Sequence, residues 1–237
     1  MGKQRVDITE KDIIFFKFLY KHRYVNLRTV NILYANKPDT LYRKLKKLTE
    51  YCYIKTLRQK NMEPVFALDK EGYNTLIKIN PDKEHKKINI TEQRIALNSN
   101  ANHHLIIAEI GAMLTNRNID YEIDLNIKKM FPEWALIPDI ILINNKIGFE
   151  VELENKSMIR YAKKLSQLQM TESIKKLIYL SRGNSLTYKI DKIEEYKAGK
   201  TLDERIILDE TKNKIEFINI NEFILDIDRF LGHKTDD

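Results

Sequence analysis

The residues whose types and spacing could do chemistry are Pro138-Asp139 and, one short loop later, Glu150-Val151-Glu152. Two apolar runs, 135–143 and 146–154, flank the dipeptide Asn144-Asn145. Asn-rich two-residue loops favour tight primed turns, because Asn tolerates positive φ. A hairpin closed there pairs Ile143 with Lys146 and brings Asp139 opposite Glu150. Alternation along the strands then puts Asp139, Glu150 and Glu152 on one face, with Phe149, Val151 and Leu153 on the other. Opposed carboxylates repel unless a cation or a proton lies between them. The expected chemistry is therefore a hard divalent metal such as Mg²⁺, held by Asp139 and Glu150. The bland alternative is an ordinary hairpin with a solvated acidic face.

This spacing resembles the core motif of the PD-(D/E)xK nuclease superfamily. The resemblance implies that Asp139 and Glu150 hold Mg²⁺ and that a lysine follows two residues after the second acid. Glu152 stands at that position, as in a minority of superfamily enzymes that cut DNA, and Lys156 is a candidate migrated lysine. Asp139, Glu150, Glu152 and Lys156 are thus the catalytic candidates. Glu109, on the preceding helix, is a further metal candidate, with a solvated role as its alternative. Lys163, Lys164 and Gln167 fall on the following helix, where related enzymes place residues that support the site or touch DNA. The competing reading is a solvated basic face.

The elements that must position these residues follow from periodicity. A helix opens at 102 and runs to about 117, followed by strands at 121–127, 136–143 and 147–154, a helix at 157–169 and a strand at 177–180. A helix at 187–197, strands at 205–208 and 214–220 and an amphipathic segment at 222–231 complete the pattern. Helix, three strands, helix, strand is the order of a restriction-endonuclease-like α/β domain with a mixed central sheet, assigned to residues 101–237. Residues 81–100 are polar and read as a connector.

The first eighty residues have another character. They hold 17 Lys and Arg against 8 Asp and Glu, a balance of +9, while the remainder holds 24 against 26, or −2. A basic third joined to a near-neutral remainder is the footprint of a nucleic-acid-binding module. Thr9 with Asp12 forms a capping box for a first helix that ends near His22. Asn26 caps a second helix. After the turn Asn36-Lys37-Pro38, Asp39 or Thr40 caps a third, with Leu41, Leu45 and Leu48 on one buried face. Strands at 53–58 and 64–68 and a helix from about Asp69 follow. Three helices and a two-strand wing predict a winged helix-turn-helix over residues 1–80, so the whole chain is expected to be α+β. In that fold the third helix enters the major groove. Arg43 and Lys44 are placed to meet base edges. Lys46, Lys47, Lys55, Arg58 and Lys60 are placed to meet phosphates, while Tyr42 could stack or bond to one, and Thr40 lies beside them.

Other chemistry finds little support. There is no CxxC, HExxH, P-loop, GxGxxG or GxSxG arrangement, so zinc, nucleotide and serine-hydrolase readings lack a motif. His103-His104 cannot chelate together, since helical neighbours point about 100° apart; one of them should pack or cap. The single cysteine, Cys52, and the absence of a signal peptide or of a ~20-residue apolar run fit a cytoplasmic protein without a membrane span.

Taken together, the chain resembles the replication-relaxation family of plasmids and integrative elements. The resemblance rests on Leu45-Lys46-Lys47-Leu48, on Phe66-Ala67-Leu68 with Gly72, on His104-Leu105, on Pro138-Asp139, and on Glu150-Val151-Glu152-Leu153-Glu154 before a basic helix, over about residues 9–180. It implies double-stranded DNA as partner, with a role in plasmid replication, mobilisation or conjugative transfer. Replication or transfer proteins and a second copy of the chain are further expected partners. Alternatives are a Mg²⁺-dependent endonuclease or nickase and a transcriptional regulator.

Overall fold

A computed structural model describes residues 6–35, 37–58, 63–81, 90–91, 100–154, 157–182 and 209–231. The chain is a mixed α+β protein that divides into two compact units, Met1–Asn118 and Ile119–Asp237. Lys60, Lys156 and the expected elements at 187–197 and 205–208 lie outside the described residues.

The first unit begins with α1 (Glu10–His22), β1 (Tyr24–Asn26), α2 (Leu27–Tyr34) and α3 (Pro38–Glu50), followed by β2 (Ile54–Leu57), β3 (Val65–Leu68) and α4 (Lys70–Ile79). The expected capping box is present: the Asp12 N–H faces Thr9 Oγ1 at 3.4 Å and the Thr9 N–H donates to Asp12 Oδ2 at 2.8 Å. Asn26 caps α2, accepting from the Thr29 N–H at 2.9 Å. α3 departs from expectation, because Lys37 rather than Asp39 or Thr40 is its N-cap, with Pro38 as the first helical residue. Proline suits that position, having a preset φ and no N–H to leave unpaired. Leu41, Leu45 and Leu48 are buried as expected.

β1 was not foreseen. Three residues are too few to show a period, yet β1 pairs with β3 and makes a three-stranded antiparallel sheet in the order β1-β3-β2. Gly72 is needed where α4 meets β2, since a Cβ there would overlap the Tyr53 carbonyl oxygen. The helix α5 (Ala101–Asn116) belongs to this unit, packing against α2 and β1. The sequence reading placed that helix in the second domain, so the division falls later than the expected connector.

The second unit contains β4 (Tyr121–Ile123), α6 (Asp124–Met130), β5 (Ile140–Leu142), β6 (Ile147–Glu152), α7 (Met158–Gln169) and β7 (Lys176–Ser181), then α8 (Asp209–Asn213), β8 (Ile215–Asn219), α9 (Ile220–Leu225) and α10 (Ile227–Leu231). The run expected as one strand at 121–127 turns into a helix at Asp124, and the strand expected from 136 starts only at Ile140. A short apolar run does not distinguish strand from helix.

The sheet order is β4-β5-β6-β7-β8, antiparallel from β4 to β6 and parallel from β6 to β8. β6 is therefore central, and its residues 148–152 are all buried. One face packs on α9, with Phe149 and Phe223 ring centroids 5.3 Å apart. The other face packs on α7 through Tyr161, Leu165 and Leu168, which meet Leu177, Tyr179 and Leu136. Helical spacing of 161, 165 and 168 puts them on one stripe, and burying each contributes about 1.5–3 kcal/mol.

Candidate functional site

The β5–β6 register is the expected one: Ile140 pairs with Phe149, Ile141 with Gly148 and Leu142 with Ile147. Extending it by one residue sets Asp139 opposite Glu150. The turn itself differs. Lys146, not an asparagine, has the positive φ of 56°, and its N–H closes a four-residue turn on the Leu142 carbonyl at 2.9 Å. The Lys146 ammonium lies over the Phe131 ring, 4.7 Å from its centroid, and Phe131 stacks on Trp134. Asp139 fastens the motif by accepting from the Val151 N–H at 2.8 Å. Pro138 packs on Gly148, where a Cβ would come within 3.1 Å of the proline ring.

The acidic face is not solvated. Glu150 and Glu152 are only 2 % and 5 % exposed, which is costly for carboxylates unless they are paired. Lys164 of α7 supplies the pairing cation, its Nζ meeting Glu150 Oε2. The lysine side chain is 27 % exposed, against 2 % for its partner. Tyr179 lies beside Glu150 in the parallel β6–β7 ladder. Burial, then the charges of Glu150, Glu152 and Asp139, hold its phenol well above the usual tyrosine range. Asp139, Glu150, Glu152, Lys164 and Tyr179 thus form one neighbourhood. Among the described residues no group of three or more His, Cys, Asp or Glu side chains is arranged to hold a metal ion. The donors that are present, hard carboxylate oxygens, suit Mg²⁺, which takes one or two protein carboxylates and completes its shell with water and phosphate oxygens.

Glu109 is accounted for elsewhere. It sits on α5 in the first unit, where its Oε1 meets Arg28 Nε of α2 at 2.7 Å. Burial raises its pKa and Arg28 partly offsets that rise. His104 packs rather than chelates: its Nε2 meets the His22 carbonyl and its ring lies 4.6 Å from that of Tyr24.

In the first unit α3 presents Thr40, Tyr42, Arg43, Lys46 and Lys47 to solvent, opposite its leucines. Tyr42 is 71 % exposed. Arg58 is exposed just after β2 and Lys55 is half-buried within it. Lys44 is different. Its ammonium meets the buried Asp12 Oδ2 at 2.6 Å and donates to the Asp7 carbonyl at 3.1 Å. Asp12 also accepts from Thr9 Oγ1 at 2.9 Å and from the Tyr34 hydroxyl at 2.7 Å. Burial and the neighbouring carboxylate push the Tyr34 pKa far up. One carboxylate therefore ties α1, α2 and α3 together. The sequence reading gave Lys44 a place at the base edges without seeing this partner, which lies 32 residues earlier.

Lys164 and Tyr179 also fall in the neighbourhood of Glu150. For Lys164 the sequence alone favours a solvated basic face. Tyr179 falls in the strand expected at 177–180; its signal is one phenol in an otherwise apolar stretch, Leu177-Ile178-Tyr179-Leu180.

A family model described as replication-relaxation matches residues 16–167. No curated protein and no solved structure matches the chain significantly.

Proposed function

Because the chain belongs to the replication-relaxation family, a membership that suggests a role in plasmid replication and mobile elements, we propose that it recognises a specific duplex DNA site at an origin of replication or transfer. The element order of the first unit, α1-β1-α2-α3-β2-β3-α4, supports a winged helix with α3 as the recognition helix. One observation carries the reading: α3 buries Leu41, Leu45 and Leu48 and turns Tyr42, Arg43, Lys46 and Lys47 outward. Arg43 is the base reader, with the fork that matches guanine O6 and N7. Lys46, Lys47 and Arg58 serve the phosphates. Lys44 serves the fold instead.

Footprinting and salt titration on DNA of the host element test this. Arg43→Ala should weaken specific binding by about 1–3 kcal/mol and spare non-specific DNA, whereas Lys47→Ala should weaken both and lower the salt slope by about one. Equal loss on both DNAs for Arg43→Ala would remove its base-reading role.

A second reading has its own support in the buried acids of β6. In it the second unit is a PD-(D/E)xK-like, Mg²⁺-dependent endonuclease or nickase. Asp139 and Glu150 would hold the metal, and when bound it would supply Lewis-acid polarisation of a phosphodiester and an activated water. Lys164 takes the part of the missing motif lysine, and Glu152 orients the attacking water. Plasmid nicking with Mg²⁺ or Mn²⁺ that vanishes in Asp139→Ala would establish this chemistry. Binding without nicking leaves the second unit as a degenerate nuclease-like domain.

A further inference from the structure

Tyr179 stands in mid-β7 next to Glu150, and parallel partners leave the sheet on the same face. Its ring is held by Phe217, 5.2 Å away and stacked, and by Tyr161 at 6.2 Å. The residue is 1 % exposed. Its hydroxyl is buried and has no hydrogen-bond partner among the described residues. The carboxylates of Glu150, Glu152 and Asp139 all lie within electrostatic reach of it.

A buried hydroxyl left unpaired is destabilising, and phenylalanine would fill the same volume without that cost. A phenol at this point is suited to a partner that arrives from outside the described residues. A hydrated divalent cation provides one. Held by two carboxylates it keeps several waters, and the metal's charge makes those waters strong donors.

We propose that Tyr179 is a positioning residue for that cation, its hydroxyl oxygen accepting a hydrogen bond from a water on the ion held by Asp139 and Glu150. This rests on the second reading above and adds to it a residue outside the motif. Outer-shell partners of this kind typically change metal affinity 10–100-fold.

Thermal melting of the full chain and its Tyr179→Phe variant, each with and without Mn²⁺, tests the idea. Without metal the variant should melt higher than the wild type. With Mn²⁺ its stabilisation should require about tenfold more metal or better, while Asp139→Asn should lose the Mn²⁺ response altogether. Three results would overturn the proposal. A variant less stable than wild type without metal would mean that the hydroxyl is already bonded inside the fold. An unchanged Mn²⁺ response in Tyr179→Phe would sink the role of Tyr179 alone. No Mn²⁺ response in the wild type would sink the cation reading, and this inference with it.

Discussion

Each unit sets a helical lysine against a buried carboxylate, Lys44 against Asp12 in the first and Lys164 against Glu150 in the second. The surroundings of the two acids differ. Asp12 also receives Thr9 N–H, Thr9 Oγ1 and Tyr34 Oη, so that with Lys44 both of its oxygens are engaged and α1, α2 and α3 are joined. Glu150 has a second buried acid two residues along its strand and an unpaired phenol beside it. A completed buried polar network rigidifies its surroundings. The neighbourhood of Glu150 combines two buried acids with a buried hydroxyl that has no hydrogen-bond partner among the described residues. The same kind of ion pair ties three helices together in one unit and, in the reading proposed above, borders a site in the other.

The largest effect should come from breaking the scaffold. Asp12→Ala strands the Lys44 ammonium and the Tyr34 hydroxyl, and a broken buried pair costs about 3–5 kcal/mol. Urea unfolding followed by circular dichroism measures it; a loss below about 1 kcal/mol would remove the contrast. Lys164→Met should cost less, about 1–3 kcal/mol, because it removes one partner of Glu150, whereas Asp12→Ala removes the acceptor of four polar contacts at once. Combining it with Glu150→Gln should recover part of that loss, since no buried charge then lacks a partner. A Lys164→Met loss as large as that of Asp12→Ala would make both pairs scaffold.

The smallest effect concerns pH. His22 is buried against Phe18. Burial first, then the charges of His104 and Lys21, lower its pKa well below the ordinary value of 6.5. The unfolded chain therefore binds a proton that the folded first unit refuses. Stability from this group is complete above about pH 6.5 and declines as pH falls below that value. The urea midpoint should fall between pH 7.5 and 5.5, and His22→Gln should flatten that fall. An identical pH dependence in wild type and variant would place the sensitivity elsewhere, the second unit's acids included.

Much of this was legible in the chain. The capping box at Thr9, the leucine stripe of α3 and the register of Asp139 on Glu150 all follow from local spacing, and local spacing is what a sequence displays. The rest depends on partners far apart. Lys44 on an outward-looking helix gives no sign of Asp12. Lys164 resembles any cation on an amphipathic helix until β6 lies beneath it. Asn144-Asn145 names the turn correctly, yet the left-handed residue is Lys146, whose ammonium rests over Phe131. Glu109 matches the order of a nuclease-like core, but its helix folds against α2 and gives the acid to Arg28.

The contact between Gly148 and Pro138 has one more consequence. The proline immediately precedes Asp139, and a methyl group on Gly148 would come within 3.1 Å of its ring, so that the ring would have to give by a few tenths of an ångström. Volume added at 148 would push the ring and shift the acid fastened to Val151. The position behaves as an adjusting screw: a neutral, uncharged exchange there would retune the acidic face while every ionisable residue stayed in place.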